Sequence, residues 1–144
     1  MTSREIALVQ ATWRQVQPVA ERAAEFFYGR LFALDPSLRP LFRTGMPEQG
    51  RKLMATIGVA VDSLARLESL APAVRELGRR HAGYAVEERH YATVGAALMW
   101  TFERVLGAGF TREMARAWST AYDVLADLMK QGMKEGHALP ARAL

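Results

Sequence analysis

The stretch Val74-Arg75-Glu76-Leu77-Gly78-Arg79-Arg80-His81 sets one histidine on an apolar stripe, because Val74, Leu77 and His81 recur at the three-then-four spacing of a single helical face. No polar side chain within a turn on that stripe stands ready to satisfy the ring. Two chemistries fit. His81 is either a core histidine whose nitrogens find backbone or water partners, or an axial ligand that offers imidazole nitrogen to a metal or to haem iron.

Other chemistries fail on composition and spacing. The 144 residues include no cysteine, which excludes disulfides, iron–sulfur clusters and thiolate zinc sites and is compatible with a reducing cytoplasm. The three histidines, His81, His90 and His137, lack the i, i+4 pairing with a carboxylate that helical metal sites use. No glycine-rich phosphate loop follows a strand, and no serine nucleophile motif occurs. The net charge of +4 rests on arginines scattered along the chain, with Arg79-Arg80 the densest pair. A nucleic-acid binder concentrates such charge on one stripe or arm, so none is expected as a partner. No apolar run approaches the roughly 18 residues of a membrane span, and Met1-Thr2-Ser3-Arg4-Glu5 carries no signal pattern. The expectation is a soluble cytoplasmic protein with no membrane partner.

The elements that must position His81 read as helices throughout. Thr2 and Glu5 stand in capping-box spacing, and Ile6, Val9, Trp13 and Val16 share a face up to Pro18. From about Val19 a second helix carries Ala20, Ala23, Phe27 and Leu31 on one side, with Ala24, Tyr28 and Phe32 beside them. Asp35 can cap, and Pro36 can open, a short apolar turn with Leu38, Pro40, Leu41 and Phe42. After a loop at 43–46, Pro47 suits a helix start, with Leu53, Ile57, Ala60 and Leu64 inward and Gln49 at the entrance of that face. Glycine at position 50 weakens such a helix by about 1 kcal/mol relative to alanine, which points to close approach by another helix, at Ala24. Pro72 is expected to open the histidine helix and Gly83 to cap it. A long helix from about Glu87 to Leu106 follows, with Tyr91, Val94, Leu98, Thr101 and Val105 in register. Beyond Gly107-Ala108-Gly109, Thr111 caps a last helix with Met114, Trp118, Ala121, Leu125 and Met129 on its stripe. No period-2 stretch bounded by turn signals appears, so the fold class is all-α, with about seven helices of unequal length. One domain is expected over 1–135, with a flexible tail over 136–144.

The order of these pieces resembles bacterial single-domain haemoglobins and the globin domain of flavohaemoglobins, from about Arg4 to Met133. It is carried by Phe27-Tyr28, Leu31-Phe32, Pro36, Arg39-Pro40-Leu41-Phe42 and Arg51-Lys52-Leu53-Met54. Leu77-Gly78-Arg79-Arg80-His81, His90-Tyr91-Ala92-Thr93-Val94-Gly95, Ala117-Trp118 and Ala121-Tyr122 continue it. The resemblance implies a globin fold around haem b, with His81 as the proximal iron ligand and Phe42 wedged against the porphyrin. Tyr28, Gln49 and Leu53 match the distal pocket, and Tyr91 and Val94 match proximal packing residues. Lys52 or Arg79 is a charge-pairing candidate for a haem propionate.

The function so implied is reversible, high-affinity dioxygen binding for storage or transport. Carbon monoxide and nitric oxide are further ligands, and nitric oxide dioxygenation is an enzymatic option if a separate reductase supplies electrons. The alternative is a haem-free sensor or interaction module of globin shape. Such a module has no use for buried polar groups at Tyr28 and Gln49. Two departures from the family matter. Flavohaemoglobins carry flavin and nicotinamide domains after the globin, and this sequence ends at Leu144. They also place in the last helix a glutamate that couples to the proximal histidine and a tyrosine. Tyr91 is present here, but Met133 stands at the matching position, so a weaker proximal push is expected.

Overall fold

A computed structural model describes residues 1–42, 45–82 and 87–138, with backbone alone for 70, 81, 82 and 136–138. Six α-helices make up most of it: α1 (Ser3–Val16), α2 (Ala20–Leu34), α3 (Met46–Asp62), α4 (Leu67–Ala82), α5 (Arg89–Leu106) and α6 (Arg112–Ala138). A 3-10 helix, Pro36–Leu41, follows α2, and three-residue 3-10 turns stand at Gln17–Val19, Leu64–Arg66 and Gly107–Gly109. No strand occurs among the described residues. The chain is all-α.

Local chemistry sets most of the boundaries. The Thr2 hydroxyl accepts from the Glu5 N–H at 3.1 Å while the Glu5 carboxylate accepts from the Thr2 N–H at 2.8 Å, closing the capping box. Pro18 ends α1 in a 3-10 turn. Asp35 accepts from the Ser37 N–H at 3.1 Å and so starts the Pro36–Leu41 helix. Gly107, at φ +55°, supplies the left-handed backbone that ends α5. Thr111 accepts from the Met114 N–H at 3.1 Å to open α6.

The core lies where α1, α2, α5 and α6 converge. Val9, Trp13 and Val16 meet Phe27, Leu31, Leu98, Phe102, Trp118 and Ala121. Trp118 is its hub, with ring centroids 4.4 Å from Phe102 and 6.4 Å from Trp13. Two fully buried threonines, Thr12 and Thr101, satisfy their hydroxyls on the carbonyls of Leu8 and Ala97 one turn back, each at 2.8 Å. The start of α1 is joined to the start of α6 on the surface, where the Arg4 guanidinium grips the Glu113 carboxylate through both oxygens.

Three sequence expectations change. Pro72 lies inside α4 rather than at its start: the Leu64–Arg66 turn feeds directly into a helix from Leu67, and the proline removes one hydrogen bond near that helix's exposed first turn. On α3 the most buried positions are Gly50, Met54 and Val61, while Leu53, Ile57 and Ala60 are half-buried. The helix therefore turns the Gly50, Met54 and Val61 stripe to α1 and α2 and leaves Leu53, Ile57 and Ala60 at the edge of the core, while Leu64, in the turn that follows, is buried as expected. The last helix runs on to Ala138, beyond the boundary expected at 135. Arg43, Thr44, Gly83 and residues 139–144 lie outside the described residues.

Candidate functional site

Gly50 positions one wall of the site. A β-carbon there would sit 2.9 Å from that of Ala24, so only glycine lets α3 lie this close on α2. That contact brings the start of α3 beside Tyr28. The Tyr28 hydroxyl donates to the backbone carbonyl of Gln49 at 3.4 Å, a long and weak bond for a phenol. Tyr28 is 7 % exposed, and burial pushes its phenol up to about 12, so it stays a protonated donor across the physiological range. Its ring lies edge-on to Phe27 at 5.1 Å and to Phe42 at 5.4 Å, and it stacks on Phe32 at 5.9 Å. Phe42 also meets Phe32 at 5.5 Å. The short Pro36–Leu41 helix docks through this aromatic cluster. Gln49 and Leu53 are half-buried one turn apart on α3. Lys52 is exposed and pairs with Glu48 at 3.6 Å, and Arg79 pairs with Glu76 at 3.4 Å.

The opposite wall is α4, which packs on α6 at backbone distance. A β-carbon on Gly78 would lie 2.6 Å from the carbonyl carbon of Met129 and 2.7 Å from its Cα. On α6, one on Gly132 would lie 2.6 Å from the carbonyl carbon of Arg75. Each glycine is thus the slot for the other helix's backbone. Sequence reasoning used Gly78 only as part of a motif and assigned no packing role to Gly132. The signal available was the same as at Gly50, a glycine inside an amphipathic helical pattern. The backbone of His81 continues α4 three residues beyond Gly78, and its side chain lies outside the described residues.

Tyr91 and Met133 form a small buried cluster beside this crossing, with Ala126. Met133 is 4 % exposed, and its Sδ accepts from the Tyr91 hydroxyl at 3.9 Å. The Gly132 crossing holds the last turns of α6 against α4, so residue 133 turns inward, not toward water. Burial raises the Tyr91 phenol above its usual range, and the Lys130 ammonium lies 5.8 Å over its ring. Tyr122 donates to the Tyr91 carbonyl at 2.7 Å, and its ring fills the space a β-carbon on Gly95 would need. Val94 is half-buried one turn further along α5. His90 serves the start of α5, where its Nδ1 accepts from the Glu87 N–H at 2.9 Å.

The structure therefore brings Tyr28, Phe42, Gln49 and Leu53 together on one side, and joins Tyr91 to the α4–α6 crossing on the other. A sequence model of the globin family matches residues 25–129. The chain belongs to the globin family. Over 133 residues, 90 % of its length, this globin is 34 % identical to flavohemoproteins of Bordetella parapertussis and Bordetella bronchiseptica, and it spans about a third of their length. Its structure is similar to that of an engineered carbene transferase from Rhodothermus marinus, described as a proposed nitric oxide dioxygenase. The TM-score is 0.84 and the identity 28 %, over 96 % of each chain. A bacterial globin from Campylobacter jejuni shares the fold at TM-score 0.84 and 24 % identity, over 96 % of this chain and all of that one.

Leu53 and Ile57 on α3, Leu77 on α4 and Val94 on α5 are apolar yet only half-buried, and α3 and α4 do not pack closely on one another among the described residues. Among the described residues no cluster of three or more His, Asp and Glu could hold a bare metal ion, and no helix is long and apolar enough to cross a membrane.

Proposed function

We propose that this globin binds haem b between α3 and α4, where His81 would hold the iron, and that it takes up dioxygen reversibly and tightly. The observation that carries this reading is Tyr28: a buried phenol, kept protonated, held among the described residues by one 3.4 Å bond in an otherwise apolar aromatic cluster. A donor so loosely satisfied is free to turn to a better acceptor. A haem-free module would bear the cost of burying it with little return.

Haem supplies the iron that takes the diatomic ligand. The residues do the rest. Phe42, Leu53 and Val94 line the group with apolar surface and keep water away from it. Tyr28 and the Gln49 side chain act as hydrogen-bond donors, favouring a ligand with negative charge on its outer atom, such as dioxygen, over carbon monoxide. The contacts of Lys52 and Arg79 with Glu48 and Glu76 are exposed, so either cation can exchange its partner for a propionate at little cost. The similarity to flavohemoproteins, and to a proposed nitric oxide dioxygenase, supports nitric oxide as a second reactant. Nitric oxide, dioxygen and one electron from a separate cytoplasmic reductase give nitrate.

The test is the visible spectrum of the purified globin reconstituted with haem. A Soret band is expected for the natural sequence. For His81→Ala the expected result is a folded helical chain that binds haem far more weakly, since its one strong bond to iron is gone. An unchanged spectrum and haem affinity in His81→Ala would refute the assignment.

A further inference from the structure

Arginines that are scattered in the sequence meet on one face of the molecule. Arg22 lies over the Phe26 ring at 5.4 Å, Arg30 over the Trp100 ring at 5.3 Å, and Arg104 reaches both rings, at 5.8 and 5.9 Å. Phe26 and Trp100 are themselves in edge contact at 6.2 Å, joining α2 to α5. Arg22, Phe26 and Arg30 recur every fourth residue on α2, and Trp100 and Arg104 do so on α5, so the two ridges face one another. Arg22 and Arg104 are exposed, while Phe26, Arg30 and Trp100 are half-buried.

Among the described residues none of these three guanidiniums has a carboxylate within ion-pair distance, although Glu21, Glu25 and Glu103 are sequence neighbours. Among the described residues only Arg4, Arg79 and Arg89 are ion-paired, so what sets these three apart is their convergence on one pair of rings. Arg30 has also lost water at Nε without gaining an acceptor. An anion that reaches its terminal nitrogens therefore meets a partly desolvated cation, where attraction is stronger than at a hydrated one. The rings hold the arginine stems in place, so less side-chain entropy is lost when a partner binds. Tryptophan and arginine are also the residues over-represented at the energetic centres of protein interfaces.

We propose that this α2–α5 face docks an acidic segment of a partner protein. The spacing fits. Arg22 and Arg30 are separated by about 12 Å along α2. Carboxylates on one side of an extended segment recur about every 6.8 Å, so three of them span about 14 Å. Nucleic acid fits less well, because the guanidiniums already cover the ring faces on which bases would stack.

The experiment titrates the full chain with a decamer of L-glutamate at low salt by calorimetry, beside a glutamine decamer. Arg22→Gln/Arg30→Gln/Arg104→Gln is compared with a control that removes the same charge from exposed positions elsewhere, Arg66→Gln/Arg112→Gln/Arg116→Gln. The expected result is binding of the glutamate decamer that weakens about tenfold or more in the first variant and less than twofold in the control. If the triple variant does not fold, Arg22→Gln and Arg104→Gln singly, both at exposed positions, should each give about a twofold loss or more. Equal losses in patch and control, or glutamate binding no tighter than glutamine, would overturn the proposal. So would tighter patch-dependent binding of a thymidine decamer or of phosphatidylserine vesicles.

Discussion

Gly78→Ala tests how α4 is held. In an ordinary helix interior this change stabilises, by up to about 1 kcal/mol, because alanine is the better helix former. Here the new methyl would start 2.6 Å from the Met129 carbonyl carbon, whereas ordinary van der Waals contact begins at 3.4 Å. The Met129 carbonyl oxygen lies nearer still, so one of the two backbones must shift by more than about 0.8 Å, and neither can yield as a flexible side-chain tip would. Overpacking of this kind typically costs 1–3 kcal/mol, so the net effect should be a loss of about that size despite the gain in propensity. For a domain of this length the melting temperature should fall by roughly 2–10 °C. Thermal unfolding followed by circular dichroism reads it, with Gly29→Ala as the comparison, since nothing lies within 4 Å of a β-carbon there. Because α4 carries His81, haem affinity should fall in Gly78→Ala and stay unchanged in Gly29→Ala. A Gly78→Ala chain as stable as the natural one would refute the close crossing and the account of α4 built on it.

Three further outcomes follow from the two walls. Tyr28→Phe removes the buried donor and should raise the dioxygen dissociation rate about tenfold or more, with carbon monoxide release much less affected, as read by stopped-flow replacement. Met133→Glu puts a carboxylate where a sulfur now accepts from Tyr91. A carboxylate accepting the imidazole N–H makes the ring a stronger donor, so the ferric/ferrous potential should fall and the iron–histidine stretching frequency should rise. The phenols of Tyr28, Tyr91 and Tyr122 are all raised by burial, so above pH 10 the unfolded chain gives up protons that the folded chain keeps. Stability should be fully present below pH 10 and decline as pH rises toward 12, and Tyr28→Phe should flatten part of that decline in urea titrations.

Much of this was legible in the residues because the relevant signals are local or repeat at helical spacing. The capping box at Thr2 and Glu5 needs only four residues to specify. The approach of Gly50 to Ala24 was readable because a glycine in a helical pattern faces a short list of small partners. The nearness of Tyr28 to the start of α3 follows from that one contact. Pro72 misled because its effect on a helix depends on whether the preceding turn is already built, and the Leu64–Arg66 turn builds it. The reciprocal slots at Gly78 and Gly132 were out of reach for another reason: each glycine takes its meaning from a backbone far away in the sequence. The same holds for Arg22, Arg30 and Arg104, which looked like dispersed charge until two helices brought them to the same pair of rings.

The glycine crossing also has a mechanical consequence. Among the described residues α4 rests on α6 and on the turn before it, and on no other helix to a comparable extent. Two backbones in contact cannot be pressed closer, so α4 behaves as a beam on a hard fulcrum formed by the turn from Arg75 to Gly78: it can tilt about that turn but cannot slide toward α6. His81 stands three residues beyond that fulcrum, about 4.5 Å along the axis. A tilt of about 5° therefore moves its Cα by only about 0.4 Å, and the same tilt moves the far end of the helix, at Leu67, several times as much. A tilt of α4 is thus taken up at the end away from position 81, whose backbone keeps nearly the same place along α6.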